Sequence, residues 1–356
     1  MRGLVFDGNR EVSIREFPDP TPGPDEVIIE IKASGMCGSD LKFYRDPPGS
    51  ALASFGFDEK SQKAGAEIPA IIGGHEPCGV IVEVGSNVDP NTFAVGDRVM
   101  QFHYKGCDVC EFCRTGWNQM CERGAKIYGA SAHGGHSNLM AAPASTLVHL
   151  PDDVSFVAGA AIACGTGTAY GAIRKASITG MDTVAIFGLG PIGLSAVQFT
   201  RALGCEPIVI DISPDRLKAA QDLGAIHAIN GAEVDPIEAI RDLTDGHGVT
   251  AALDVSGSPV ARSQATQSLQ PWGRLALVGL GGDYTVDAGR DLILKQVSVF
   301  GSYTFSSTGM ADCARFVARH GVDVDAIFTD KWTLDQGAEA YREFDKQTRG
   351  KAVIEF

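Results

Sequence analysis

Apolar and polar positions follow two different rhythms along the 356 residues. Up to about residue 165 the apolar positions fall in short runs closed by glycine or proline. Residues 26–32 alternate after a proline-rich turn at 18–24, and 79–85 and 96–100 repeat the pattern of short strands. No long amphipathic helical period interrupts them. Residues 43–67 are polar, with Pro47-Pro48 and several glycines, and read as a long loop. From about residue 166 strand-like and helix-like segments alternate. Strands are expected over 183–187, 207–211, 251–255 and 274–278, with helices over 192–203, 214–223 and up to about 269 between them. That alternation is the mark of a parallel sheet with helices on both faces. A helical segment at 334–344 and a strand at 351–356 close the chain. The pattern contains neither an internal repeat nor a low-complexity segment.

Length alone suggests about two domains. Hydrophobic residues make up 44% and charged residues 21%, which excludes general disorder, and 43 glycines without a Gly-X-Y period point to tight turns or close backbone–ligand approaches. A formal charge of −14 repels phosphates, so neither a nucleic acid nor an anionic membrane is an expected partner. No apolar run reaches the ~18 residues of a membrane span, and the first residues lack a signal peptide's apolar stretch. The expected location is therefore cytoplasmic. Thiols are kept reduced there, so clusters among the nine cysteines read as metal ligands or reactive groups before disulfides.

Two motifs carry most of the chemistry. Gly188-Leu189-Gly190-Pro191-Ile192-Gly193 lies between an expected strand and an expected helix. In that context the first glycine makes the turn, the second lets the backbone approach a pyrophosphate, and the third permits close helix–strand packing. Pro191 suits the first helical turn, and the helix N-terminus offers its N–H groups to phosphates. Asp211 closes the next strand, where a carboxylate can accept both ribose hydroxyls and repel a 2′-phosphate, favouring NAD over NADP. The plain alternative is a glycine-rich strand–helix turn. The second motif is Cys107-x2-Cys110-x2-Cys113-x7-Cys121, four thiolates suited to one closed, tetrahedral, structural zinc. An iron–sulfur cluster is its rival. Cys37, Gly74-His75-Glu76 and Cys164 would complete a three-ligand zinc with an open position, but their spacing cannot show that they meet.

Taken together, Cys37-Gly-Ser39-Asp40, Gly74-His75-Glu76, the four-cysteine loop, Cys164-Gly-Thr-Gly-Thr168, the glycine motif and Asp211 occur in the order that resembles the zinc-dependent medium-chain alcohol dehydrogenases. The resemblance covers nearly the whole chain. It implies an α/β fold: a GroES-like β-rich catalytic domain over 1–165 and 304–356, and a Rossmann doubly wound parallel sheet over 166–303, with the active site between them. It implies two zinc ions per chain and NAD as cofactors. Cys37, His75 and Cys164 would hold the catalytic zinc, with Glu76 close enough to approach or ligate it and Asp40 orienting His75. Ser39 would hydrogen-bond the substrate oxygen. Thr168 would lie beside the nicotinamide and Lys351 at the pyrophosphate, with Arg216, Val278 and Ser302 among the other cofactor contacts. Two positions depart from the pattern: Lys42 stands where many relatives carry a proton-relaying histidine, and His103 where they place a pocket-lining side chain that is often apolar.

The implied reaction is reversible oxidation of an alcohol by NAD, with Lewis-acid activation of the hydroxyl. His103 and the polar 43–67 loop favour a polar secondary alcohol such as a sugar alcohol or cyclitol, with a simple alcohol as the alternative. A cysteine at 164, where polyol-type members often have glutamate, argues mildly the other way. A lyase or epimerase using bound NAD transiently, and a binding protein on a retired scaffold, are the rivals from other classes. The expected partners are a small-molecule substrate and copies of the same chain, as a homodimer or homotetramer.

Overall fold

The computed structural model describes residues 1–48, 50, 70–348 and 350–356. Six parallel strands form one sheet in the order His227–Asn230, Ile208–Asp211, Val184–Phe187, Val249–Asp254, Leu269–Leu277, Ser298–Gly301. Every residue of Val184–Phe187 and Ile208–Asp211 is buried, as strands covered on both faces require. Chain order reverses beside Val184–Phe187, whose neighbours are Ile208–Asp211 and Val249–Asp254, so a crevice opens at the carboxyl ends of these strands. The fold is thus a doubly wound Rossmann sheet joined to a β-rich GroES-like unit.

The second unit is a seven-stranded, mostly antiparallel sheet built on Glu26–Met36. This strand runs to Met36, four residues beyond the alternating pattern, because it pairs with Glu76–Val84, Leu139–Pro143 and Lys351–Glu355 and is covered on both faces. The chain's last strand, Lys351–Glu355, thereby returns to the sheet begun by Glu26–Met36. Two buried helices, Phe156–Ile162 and Gly165–Lys175, link the units. One hydrophobic cluster passes from Met100 and Phe102 through Ala160 and Ala169 to Ile186 and Leu253, so a single core reaches both sheets.

Several elements depart from the expected pattern. Helix Phe156–Ile162 escapes periodicity because it is apolar on all sides, and Gly165–Lys175 because its small residues and threonines are buried almost all round until Arg174. Strand His227–Asn230, helix Pro236–Leu243, strand Ser298–Gly301, helix Ser307–His320 and strand Phe328–Thr333 fall where no element was expected. Leu269–Leu277 begins before residue 274, with Trp272 at φ 59° marking an irregularity within it. Of the expected 43–67 loop, Phe43 to Arg45 finish helix Asp40–Arg45, while 49 and 51–67 lie outside the described residues. Among the described residues, no single helix is long and apolar enough to cross a membrane.

Candidate active site

Three distant segments deliver Cys37, His75 with Glu76, and Cys164 to one point, with a potential ligand atom of each within 4.8 Å of the others. Cys37 precedes helix Asp40–Arg45, Cys164 sits between the two linking helices, and Glu76 begins strand Glu76–Val84. His75 follows Gly74, whose φ of 81° is the left-handed region that glycine adopts at little cost. The Sγ atoms of Cys37 and Cys164 are 3.9 Å apart. Two sulfurs at ~2.3 Å from a tetrahedral zinc would be about 3.8 Å apart, so the donor set fits that ion in spacing and chemistry.

The groups around the donors fix their states. Asp40 Oδ1 accepts from His75 Nδ1 at 2.8 Å, which makes Nε2, with Ser39 Oγ 3.3 Å away, the ring nitrogen available to a metal. Asp40 Oδ2 accepts from the Cys37 backbone N–H at 2.9 Å. Burial works to lower the His75 pKa, yet Asp40 and Cys37 together raise it well above the ordinary histidine value. Glu76 is wholly buried, and burial pushes its carboxyl up to about 7 against the pull of Lys351. Its Oε2 is 2.5 Å from Lys351 Nζ, and its Oε1 has no hydrogen-bond partner among the described residues. Gly35 makes room for this carboxylate, since a Cβ there would lie 1.9 Å from Glu76 Oε2 and would have to displace it.

A cleft of about 710 Å³ runs from these donors to Asp211. Cys37, Ser39, His75, His103, Cys164, Thr168, the whole 188–193 motif, Asp211, Arg216, Val278 and Lys351 line it. The glycines divide three tasks. Gly188 turns at φ 95°, Gly190 has no atom within 4 Å of where a Cβ would be, and a Cβ on Gly193 would strike Gly188 O at 2.0 Å. Thr168 Oγ1 donates to Cys164 O. Asp211 accepts from the backbone N–H of Leu189, Ile212 and Ser213, so about one of its roughly four acceptor sites remains for a ribose hydroxyl, not two. Arg216 Nη1 lies 3.9 Å from Asp211 Oδ2, and its Nε has no hydrogen-bond partner among the described residues.

Three expected residues stand elsewhere. Lys42 is exposed on helix Asp40–Arg45 and does not line the cleft. Ser302 is buried behind it, its N–H taken by Leu277 O. Lys351 reaches the lining, but a buried ammonium needs a carboxylate, and it sits on Glu76 and Met36 O rather than on the 188–193 turn. His103 is 2% exposed, its ring centroid 4.9 Å from that of His75, and its Nδ1 lacks a partner. Burial and the neighbouring His75 hold its pKa well below the ordinary value, so it is neutral. Sequence reasoning missed Tyr104 and Tyr303, whose hydroxyls meet at 3.1 Å on the cleft wall. No motif announces either one.

The four thiols Cys107, Cys110, Cys113 and Cys121 also converge within 4.8 Å. Cys110 N donates to Cys107 Sγ and Cys107 N to Cys121 Sγ. Backbone donors at Val109 and Cys110 bring the Cys107 thiol down to about 6, so it is a thiolate at neutral pH. This loop is away from the cleft, and its Gln119 side chain donates to Thr304 Oγ1 and Phe305 O.

A Rossmann sheet, a GroES-like sheet and a cysteine–histidine donor set between them define a metal-dependent dehydrogenase. Family models agree: residues 23–152 match the alcohol dehydrogenase GroES-like domain and 191–319 the zinc-binding dehydrogenase domain. The chain is 35% identical over 360 residues to an uncharacterized zinc-type alcohol dehydrogenase-like protein of Escherichia coli, covering 100% of this chain and 99% of that one. It is 31% identical to a sorbitol dehydrogenase of Bacillus subtilis, over 96% of this chain and 92% of the relative. Among solved structures, galactitol-1-phosphate dehydrogenase from Escherichia coli superposes with a TM-score of 0.85 at 26% identity, each chain covered completely. The chain belongs to the zinc-dependent medium-chain alcohol dehydrogenase family, and is a zinc oxidoreductase acting on alcohols, with zinc and NAD as cofactors.

Proposed function

We propose that the enzyme interconverts a polar secondary alcohol, of the sugar alcohol or cyclitol kind, and its ketone, with NAD preferred over NADP. The observation that carries the substrate class is His103, a buried side chain lining the cleft whose Nδ1 has no hydrogen-bond partner among the described residues. Leaving such a group unsatisfied costs about 1–3 kcal/mol, and a substrate hydroxyl beside the reacting one would satisfy it. The Tyr104–Tyr303 hydroxyl pair adds a second polar point on the same wall. A sorbitol dehydrogenase and a galactitol-1-phosphate dehydrogenase among the relatives agree with this reading.

Cys37, His75 and Cys164 would hold the catalytic zinc, with Glu76 behind them, and Cys107, Cys110, Cys113 and Cys121 the structural one. Bound zinc supplies Lewis acidity and NAD accepts the hydride. The chain's own part is positioning. Asp40 keeps the proton of His75 on Nδ1, so Nε2 is available as a donor. Ser39 Oγ, 3.3 Å from that Nε2, is suited to take the substrate's hydroxyl proton. Gly190 leaves the backbone open to a pyrophosphate at the N-terminus of helix Pro191–Ala202.

His103→Phe tests the substrate reading. It should lower kcat/KM for polyols by roughly 10- to 100-fold, the range of a lost hydrogen bond to a buried group, and spare small apolar alcohols. Equal losses for both classes, or none, would remove the case for a polyol. Cofactor choice is tested separately, because the buried carboxylate of Asp211 repels a 2′-phosphate. The kcat/KM for NAD should exceed that for NADP by about tenfold or more, equivalent to ~1.4 kcal/mol. Asp211→Ala should erase most of that ratio, since Arg216 would then face the phosphate alone. A wild-type preference for NADP would contradict the assignment of Asp211.

A further inference from the structure

Behind the donor set, four side chains continue the line that begins at His75. Tyr341 OH is 3.3 Å from Asp40 Oδ2, His136 Nε2 is 2.7 Å from Tyr341 OH, and Ser34 Oγ is 2.8 Å from His136 Nδ1. Asp40 is 1% exposed, and Ser34, His136 and Tyr341 are completely buried. They come from strand Glu26–Met36, helix Asp40–Arg45, the segment before strand Leu139–Pro143, and helix Gly337–Phe344.

Only one arrangement of protons satisfies the whole line. A carboxylate only accepts, so Tyr341 must donate to Asp40. Its single proton is then spent, so His136 must donate from Nε2 to the phenolic oxygen. Burial holds the His136 pKa down at about 4, so its ring is neutral and Nδ1 is an acceptor. Ser34 must then donate to Nδ1. At the other end, Asp40 Oδ1 takes the Nδ1 proton of His75. Every bond points from Ser34 toward Asp40, and the Nδ1 side of His75 is committed to Asp40, so Nε2 is the nitrogen that would meet a metal. His136 also packs against the turn that presents His75, since a Cβ on Gly74 would meet His136 Nδ1 at 2.3 Å.

We propose that Tyr341, with His136 and Ser34 behind it, is a positioning residue for the catalytic zinc, acting through Asp40 and His75. The inference rests on the assignment of that zinc to Cys37, His75 and Cys164. Without the tyrosine hydroxyl, the Cys37 backbone N–H is the one hydrogen bond left to Asp40 Oδ2 among the described residues, and the carboxylate is freer to rotate away from His75. The tyrosine ring has a separate packing role, with ring centroids 4.9 Å from Phe6 and 5.6 Å from Tyr44. Tyr341→Phe keeps that packing and removes only the hydroxyl.

The test is zinc affinity of the purified enzyme, measured by competition with a chelator that follows the two zinc ions separately. Tyr341→Phe should weaken binding at one site by tenfold or more, the low end of the roughly 10–100-fold typical of groups behind a metal ligand. The structural site should be unchanged. The same substitution in an Asp40→Asn background should have little further effect, because the line is already broken there. Ser34→Ala, which leaves every ring in place, should give a smaller loss of the same sign and serves should Tyr341→Phe not fold. Unaltered affinity in both variants, or equal losses with and without Asp40, would overturn the proposal. A wild-type enzyme with only the structural zinc would instead overturn the site assignment on which it rests.

Discussion

Replacing Cys164 by serine should lower kcat by about three orders of magnitude while leaving a folded chain with one zinc. The sulfur is one of two that stand 3.9 Å apart beside His75, and it comes from the junction of two buried helices. A hydroxyl there matches the shape but is a far weaker ligand for zinc. Lewis-acid activation is worth several kcal/mol in the transition state, and each ~1.36 kcal/mol is tenfold in rate. Folding is spared because the buried helices keep their apolar contacts and the four-cysteine loop is elsewhere. Steady-state kinetics, metal content and far-ultraviolet dichroism on one preparation check all three parts. A variant that retains both zinc ions and near-normal turnover would remove Cys164 from the site.

Cys110→Ser should have the opposite profile, with stability falling first and catalysis following only as the fold is lost. The loop around Cys110 carries short helical pieces and little apolar core, so its thiolates must be held together by the metal. Isolated structural zinc sites contribute roughly 10–16 kcal/mol of apparent folding energy, and a loop anchored in a large chain realises a fraction of it. A loss of ~3 kcal/mol lowers the unfolding midpoint by roughly 6–12 °C in a domain of about 150–250 residues. Gln119 ties this loop to Thr304 and Phe305, so its loosening also reaches the cleft wall at Tyr303. Thermal unfolding and soluble yield decide the matter. Unchanged stability in a chain that has lost one zinc would deny the loop its structural role.

What was legible in the sequence follows from the reach of each signal. The 188–193 turn and the four-cysteine loop are local, so spacing alone exposes them. Cys37, His75 and Cys164 are far apart in the chain, and only their order within a family pattern suggests that they meet. Helix Phe156–Ile162 gave no periodic signal because it is apolar all round, and Gly165–Lys175 because its small residues and threonines are buried on nearly every side. Helix Ser307–His320 was more visible than its omission suggests. Ser306 caps it by accepting from Gly309 N, and Gly321 ends it in the left-handed region. Tyr341 had no signal at all. It sits 301 positions from Asp40, and nothing in its own segment separates it from an ordinary core tyrosine. Lys351 illustrates the converse, a residue found by its place in a pattern whose charge the fold commits to Glu76.

The most direct test of the account is net NADH formation, followed by its near-ultraviolet absorbance, when the zinc-loaded enzyme meets NAD and a panel of polyols, cyclitols and simple alcohols. The account predicts steady accumulation of NADH matched by ketone, with the highest kcat/KM on a polar secondary alcohol. Product formation without net NADH, or a clear preference for small apolar alcohols, would contradict it.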